Sequence, residues 1–162
     1  QHFIDRGYTK IGIITNVIRN VTPRMERING YKNTMNANGL DIWDDYIKSL
    51  EVNRIREGVH DLLSLDDPPE AILAGNDLTL IEILKYVKEN HVRIPEDLAI
   101  IGIDDVSFAG FFEPGLTIVA QPTFEIGKKA AEFLLNKIQK KEDQDEGLVF
   151  RFDPELIIRE SC

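Results

Sequence analysis

The fold is decided by an apolar stretch that ends in two carboxylates: Leu98-Ala99-Ile100-Ile101-Gly102-Ile103-Asp104-Asp105. An unbroken apolar run of this length predicts a strand that is buried on both faces, because it has no polar side to turn to water. Similar apolar runs predict strands at residues 10–15 and 71–74, and a further strand is predicted at residues 46–52. Strands of this kind are typical of a parallel sheet.

Segments with helical spacing of apolar residues lie between these strands. Thr22-Pro23 begins a predicted helix that ends near Asn38-Gly39, and further helices are predicted over residues 55–65 and 77–90. The end of a short helix is predicted just before Gly7. The alternation of strand and helix predicts an α/β fold, a parallel sheet with helices on both faces.

Polar residues follow each predicted strand at its carboxyl end: Thr15-Asn16, Asn53, Asn76-Asp77 and Asp104-Asp105. Ligands of open parallel sheets bind beyond this end, and amides and carboxylates suit a ligand with many hydroxyls. Asn and Asp are also common helix caps and turn residues, and we interpret Asp77 as the cap of the following helix. Position alone leaves both interpretations open for Asn76 and Asp104.

Composition argues against several other functions. The length of 162 residues suffices for one domain with its own core, and no apolar run approaches the roughly 18 residues that span a bilayer. A net charge of −9 predicts that the chain by itself does not hold nucleic acid, because its surface repels phosphate. We expect no membrane association.

The sequence contains no recognisable catalytic or metal-binding pattern. His2, His60 and His91 lie in separate segments without metal-ligand spacing, and there is neither a nucleophile elbow nor a glycine-rich phosphate loop. The single cysteine, Cys162, cannot form an intrachain disulfide, which is typical of a reducing cytoplasm. We predict a cytoplasmic protein that is not an enzyme and uses no metal or cofactor.

Six motifs in chain order resemble those of one family: Phe3–Ile14, Arg27-Ile28-Asn29-Gly30-Tyr31, Pro69–Asp77, Val92–Asp105, Leu116–Pro122 and Arg159-Glu160-Ser161. They resemble the LacI/GalR (lactose-repressor) family of bacterial transcription regulators over essentially the whole chain. The resemblance implies a periplasmic-binding-protein-like fold of type I, in which this chain is mainly the second of two lobes.

The resemblance also implies how the chain is divided. Residues 1–121 would form the second lobe, 122–154 a crossover helix and a strand of the first lobe, and 155–162 a return to the second lobe. Most of the first lobe and the DNA-binding head would lie outside this chain, so operator DNA would be contacted only through that head. A strand is expected at residues 148–150, and we expect residues 123–154 to be displaced, disordered or paired with another copy.

The effector-binding residues that the resemblance implies are Arg27, Asn76, Asp104 and Gln121. Asn53 is also predicted to contact the effector. It occupies the position where the family often stacks an aromatic residue on its ligand, so no stacking is expected there. The effector is expected to be a sugar or a related metabolite.

The resemblance further implies a homodimer, formed through the side chains of Leu80, Ile81, Leu84, Phe108, Phe111 and Phe112. Core packing is the alternative for each of these residues. Other functions remain open as well: a sugar-binding component of a transporter, a regulator that answers mainly to a protein co-regulator, and an α/β enzyme.

Overall fold

The computed structural model describes residues 1–19, 21–140 and 149–162. Its strands are β1 (Ile11–Asn16), β2 (Ile47–Leu50), β3 (Ala71–Ala74), β4 (Ala99–Ile103), β5 (Thr117–Ala120) and β6 (Glu155–Ile157). They form one sheet in the order β2-β1-β3-β4-β5-β6. The four strands predicted from the sequence are confirmed.

The sheet is parallel from β2 to β5, and its last strand runs the other way. Ala120 at the end of β5 lies opposite Glu155 at the start of β6. The chain leaves the sheet at the carboxyl end of β5 and returns to it at that same end, so β6 must run antiparallel. The sheet is therefore mostly parallel with one antiparallel strand at its edge, and the predicted α/β fold is confirmed.

The described residues form five α-helices: α1 (His2–Asp5), α2 (Thr22–Ala37), α3 (Ile55–Leu63), α4 (Asp77–Glu89) and α5 (Thr123–Lys140). Gly7 and Gly39 follow α1 and α2 with φ of +94° and +67°, the left-handed conformation that glycine adopts without strain. The helix ends predicted at these two glycines are confirmed.

Alternating side chains of the strands fill two apolar layers. Ile14, Ile72 and Ile100 pack with α3 and α4 on one face of the sheet. Ile13 and Ala71 pack with α1 and α2 on the other face. Successive residues of a strand point to opposite faces, so one strand supplies side chains to both layers.

The carboxyl terminus is anchored in the sheet. The buried hydroxyl of Ser161 donates to the carbonyl of Ile100 at 2.6 Å and accepts from the backbone N–H of Thr117 at 2.8 Å. The neighbouring Cys162 is buried, and this burial raises the pKa of its thiol. A buried thiol with a raised pKa is not the thiolate that reacts.

The other described residues leave the apolar side of α5 uncovered. Phe124 is 76% exposed and Ile138 is 67% exposed, while the ring of Phe133 lies edge-on to that of Phe150 with centroids 6.1 Å apart. Of the strand expected at residues 148–150, Leu148 lies outside the described residues. Val149 and Phe150 are not in a strand, so that expectation is wrong for them, since no other strand lies beside them to pair with.

The charged segment from Lys140 to Glu146 lies outside the described residues, apart from the helical backbone of Lys140. Within the part of the chain that the structure describes, no helix is long and apolar enough to cross a membrane.

Candidate functional site

A cluster of polar side chains centres on Asp104. It lies at the carboxyl edge of the sheet, by which we mean the side where the parallel strands end. Arg27 reaches this edge from α2, and its Nη2 lies 3.5 Å from Oδ1 of Asp104. Nη1 of the same guanidinium donates to the carbonyl of Gly75 at 2.5 Å. Gln121, just after β5, donates from Nε2 to the same Oδ1 of Asp104. The structure thus brings together Arg27, Asp104 and Gln121.

Asp104 has a left-handed backbone, with φ of +82°. Its N–H is held by the carbonyl of Val119 at 3.0 Å. A residue other than glycine rarely adopts this conformation, and such residues cluster at functional sites. The conformation turns the chain at the end of β4, where this carboxylate meets Arg27 and Gln121.

Asn76 caps α4. Its backbone is extended, and its side-chain Oδ1 accepts from the N–H of Thr79 at 2.9 Å. The interpretation of Asp77 as the cap is therefore wrong, because Asp77 already lies in the first turn, where its carboxylate accepts from Leu78 N–H at 2.7 Å. The cap occupies only the oxygen of the Asn76 amide and leaves its nitrogen for another acceptor.

Asn16 is a polar residue of this edge that was not among the predicted site residues. It ends β1 and is 5% exposed. Its Oδ1 accepts from the hydroxyl of Thr79, 3.1 Å away. The sequence signal was its place directly after the apolar run of β1, but nothing in the sequence distinguished it from a turn residue.

Asn53 stands apart from this cluster. It lies in a short 3₁₀ turn, Val52–Arg54, and is exposed. Among the described residues, no hydrogen bond joins its side chain to Arg27, Asp104 or Gln121. Its assignment as an effector contact stays a prediction.

A cavity of about 490 Å³ adjoins the cluster. Its polar lining includes Arg27 and Gln121, and its apolar lining includes Val119, Ile103 and Phe152. Phe152, which belongs to the crossover segment 122–154, was also absent from the predicted residues. The mixture of polar groups and apolar surface is that of a small-molecule site.

The residues predicted for a dimer interface fall into two groups. Leu80 and Leu84 are 0% and 6% exposed and belong to the core between α4 and the sheet. Their assignment to an interface is corrected to core packing, because a buried side chain has no surface to offer a partner.

The other predicted interface residues keep some exposure. Ile81, Phe108 and Phe112 are half-buried, and Phe111 is 90% exposed. Phe111 and Phe112 line a cavity of about 580 Å³ together with Val87 and Val92. A large ring left in water beside an apolar cavity is typical of a surface that another molecule covers.

The histidines and carboxylates form no site of another kind in the described part of the chain. His60 contacts the hydroxyl of Tyr86 at 3.2 Å. No group of three or more His, Cys, Asp or Glu residues there could hold a metal ion.

Comparisons with known proteins agree with this geometry. A family model described as a periplasmic binding protein-like domain matches residues 1–162. The probable HTH-type transcriptional regulator EndR of Paenibacillus polymyxa is 43% identical over 99% of this chain and 48% of its own length. The ribose operon repressor of Escherichia coli K12 is 33% identical over 91% of this chain and 45% of its own length. This chain therefore spans about half the length of these relatives.

A solved structure leads to the same group of proteins. The complex of the transcriptional regulator CelR with cellobiose superposes with a TM-score of 0.86 at 26% identity, over 99% of this chain and 49% of that one. The sheet, its polar carboxyl edge and the matching family model define the class, a periplasmic binding protein-like domain. Within that class, the chain belongs to the LacI family of transcriptional regulators.

Proposed function

We propose that this chain is the effector-sensing part of a bacterial DNA-binding transcription regulator. It binds a sugar or a related metabolite at the carboxyl edge of the sheet. The observation that carries the proposal is the convergence of Arg27, Asp104 and Gln121 beside a cavity that is partly apolar. The relatives bear the names of transcription regulators, so we propose no enzymatic role.

The charges of this cluster favour an uncharged ligand with hydroxyl groups. The guanidinium of Arg27 faces the carboxylate of Asp104, so their charges offset each other. Both Arg27 and Gln121 approach Oδ1 of Asp104, and Oδ2 has no hydrogen-bond partner among the described residues. A hydroxyl group can donate to that oxygen while it accepts from a neighbouring donor, as sugar hydroxyls do in pairs.

The names of the relatives support a sugar as the effector. CelR was solved with cellobiose, and the relative from Escherichia coli is a repressor of the ribose operon. The aromatic ring that would stack on such a ligand is supplied in our proposal by Phe152, which lines the cavity, and not by the position of Asn53.

The remaining parts of the function concern the whole protein. We propose residues 1–121 and 155–162 as one lobe and residues 122–154 as part of another, because the apolar side of α5 is exposed. Effector bound between two lobes favours one state of closure, and if that state changes DNA affinity, then DNA must change effector affinity by the same factor. DNA would be contacted by a part of the regulator outside this chain, in the cytoplasm.

The test of the sugar site is a thermal-shift screen of the full-length protein. Cellobiose, D-ribose, D-glucose, glucose 6-phosphate and hypoxanthine serve as probes, with Asp104→Ala and Arg27→Ala as variants and Asp61→Ala on α3 as control. A ligand at about 100 times its Kd adds roughly 2.7 kcal/mol to the free energy of unfolding. We expect a sugar to stabilise the wild type and Asp61→Ala, and neither of the other variants.

Stabilisation by no probe would overturn the sugar site and favour a protein co-regulator. Stabilisation by hypoxanthine alone would place the ligand in another chemical class.

We further propose that the protein is a homodimer whose interface includes Ile81, Phe108, Phe111 and Phe112. Phe111 is the main apolar contact, because it has the most surface to bury. In Phe111→Glu a charge would have to enter this interface, so sedimentation equilibrium should give the monomer mass where the wild type gives twice that mass. A dimer of unchanged stability in Phe111→Glu would contradict the proposal.

A further inference from the structure

Asn16 lies at the carboxyl edge of the sheet, at the end of β1. Its strand, β1, is flanked by β2 and β3, and Asn16 lies beside Leu50 in the register of the sheet. The next strand on the other side is followed by Gly75 and Asn76, which hold Arg27 and α4. Asn16 is thus one strand away from residues of the proposed effector site.

The side chain of Asn16 is a buried polar group that is only half satisfied. Its Oδ1 accepts from the hydroxyl of Thr79. Among the described residues, no acceptor for its Nδ2 is present, and the buried unpaired side-chain polar atoms are Nε2 of His2 and Oγ1 of Thr15. Nδ2 of Asn16 is therefore not sealed from solvent, although the residue as a whole is 5% exposed.

Thr79 fixes which way this amide faces. The oxygen and nitrogen of an amide lie on opposite sides of one carbon, so holding the oxygen on α4 directs the nitrogen away from α4. The N–H of the same Thr79 holds Oδ1 of Asn76. One threonine therefore engages the acceptor atoms of two amides and leaves both of their donor groups for another molecule.

We propose that Asn16 is a specificity-determining residue of the effector site, and that its Nδ2 donates to an oxygen of the bound sugar. Thr79 is the positioning residue that holds the Asn16 amide in this orientation. The inference rests on the proposed sugar-sensing function and adds a donor at the end of β1, two strands away from β4, which Asp104 follows. A donor held in a fixed orientation discriminates strongly, because a ligand that excludes water but has no acceptor there leaves the donor unpaired.

The test uses Asn16→Asp in the full-length protein. Aspartate has nearly the same shape and keeps an oxygen for the Thr79 hydroxyl, but it replaces the donor by an acceptor. Titration calorimetry with cellobiose, D-ribose and D-glucose should give an affinity lower by about tenfold or more for the sugar that the wild type binds. Asn33→Asp, with the same charge change at an exposed position of α2, is the matched control and should bind as the wild type does.

A second pair of variants tests the orientation. Thr79→Val removes the hydroxyl and should weaken binding less than Asn16→Asp does, while Thr79→Ser keeps the hydroxyl and should restore the wild-type affinity. This pair also decides the question if Asn16→Asp does not fold: equal affinities of the Val and Ser variants would then overturn the inference.

The failures of the two proposals are distinguishable. Wild-type protein that binds none of the three sugars overturns the sugar-sensing function and this inference together. Wild-type protein that binds a sugar as tightly as Asn16→Asp does overturns the inference alone, and so does an equal loss in Asn33→Asp.

Discussion

Polar side chains lie at both ends of the parallel strands, the amino edge and the carboxyl edge, but they form different kinds of hydrogen bonds. At the amino edge, where the parallel strands begin, the polar side chains form hydrogen bonds with backbone groups of the same chain. Oε2 of Glu70 accepts from the backbone N–H groups of Thr9 and Lys10 at 3.1 and 3.3 Å. Ser161 joins the backbones of β4 and β5, and Arg159 donates to the carbonyl of Leu116 at 2.6 Å.

At the carboxyl edge the polar side chains keep unused atoms. Asp104 is approached at one oxygen, and Asn16 and Asn76 are held through their oxygens alone. Asp104 also keeps a left-handed backbone there. The number of polar residues therefore does not locate a binding site. Polar side-chain atoms that have no hydrogen-bond partner within the chain do.

Ser161→Ala should give the largest effect and confine it to stability. The substitution leaves the carbonyl of Ile100 and the N–H of Thr117 buried without this partner, at a cost of about 1–3 kcal/mol for each group. Urea unfolding should show a loss of roughly 2–4 kcal/mol, while Ser64→Ala, at an exposed position, should lose little. Unchanged stability would show that the amino edge does not depend on this hydroxyl. Altered sugar affinity would contradict the view that the amino edge contributes to stability alone.

Asp104→Gly should have the opposite effect: it should weaken sugar binding without lowering stability. Glycine adopts a positive φ without the cost of about 1–2 kcal/mol that other residues meet, so stability should hold or rise. Loss of a hydrogen bond to a charged group, worth about 1.5–3 kcal/mol, should weaken sugar binding by roughly ten- to a hundredfold. Calorimetry and thermal melts on the same samples measure both, and a destabilised protein with full affinity would contradict the account.

Gly75→Ala should affect stability and binding together. A Cβ at this position would lie 2.7 Å from Cβ of Thr15 and 2.9 Å from the carbonyl oxygen of Ile14. The backbone of residue 75 must shift, and its carbonyl is the one that holds Arg27. We expect a loss of about 1–3 kcal/mol in stability with a weaker affinity, whereas Gly30→Ala, in open space on α2, should stabilise slightly. An unaffected affinity would show that Arg27 does not need this anchor.

The smallest expected effect is the pH dependence of stability that arises from Asp97 at the amino edge. Hydrogen bonds from the side chain and backbone of Arg93 lower the pKa of Asp97 to about 2. A lowered pKa in the folded protein stabilises it fully above the ordinary value of about 4, and this contribution is lost as the pH falls towards 2. The melting temperatures of wild type and Asp97→Asn should therefore converge between pH 5 and pH 2. A constant difference would contradict the assignment, and sugar affinity at pH 7 should not change.

The sequence predicted the fold well because its signals are local. Apolar runs marked β1, β3 and β4, and Gly7 and Gly39 marked the ends of two helices. The antiparallel β6 escaped prediction because strand direction depends on where the chain re-enters the sheet. Leu80 and Leu84 were misassigned because apolar character does not distinguish a core from an interface.

The site was predicted in part. Arg27, Asp104 and Gln121, assigned through family resemblance, lie together at one edge. The cap was misassigned by one residue because Asn76 and Asp77 both favour that role, and only backbone conformation decides between them. Asn16 was not predicted as a site residue, because the orientation of its side chain depends on Thr79, which lies 63 positions further along the chain.

The most direct test of the sensing site is a crystal structure of the full-length protein with the sugar that stabilises it most. We expect ligand oxygens within hydrogen-bond distance of Asp104, Arg27 and Asn16, with Phe152 beside the sugar ring. A sugar bound at the amino edge, or one whose hydroxyls contact none of these residues, would contradict it.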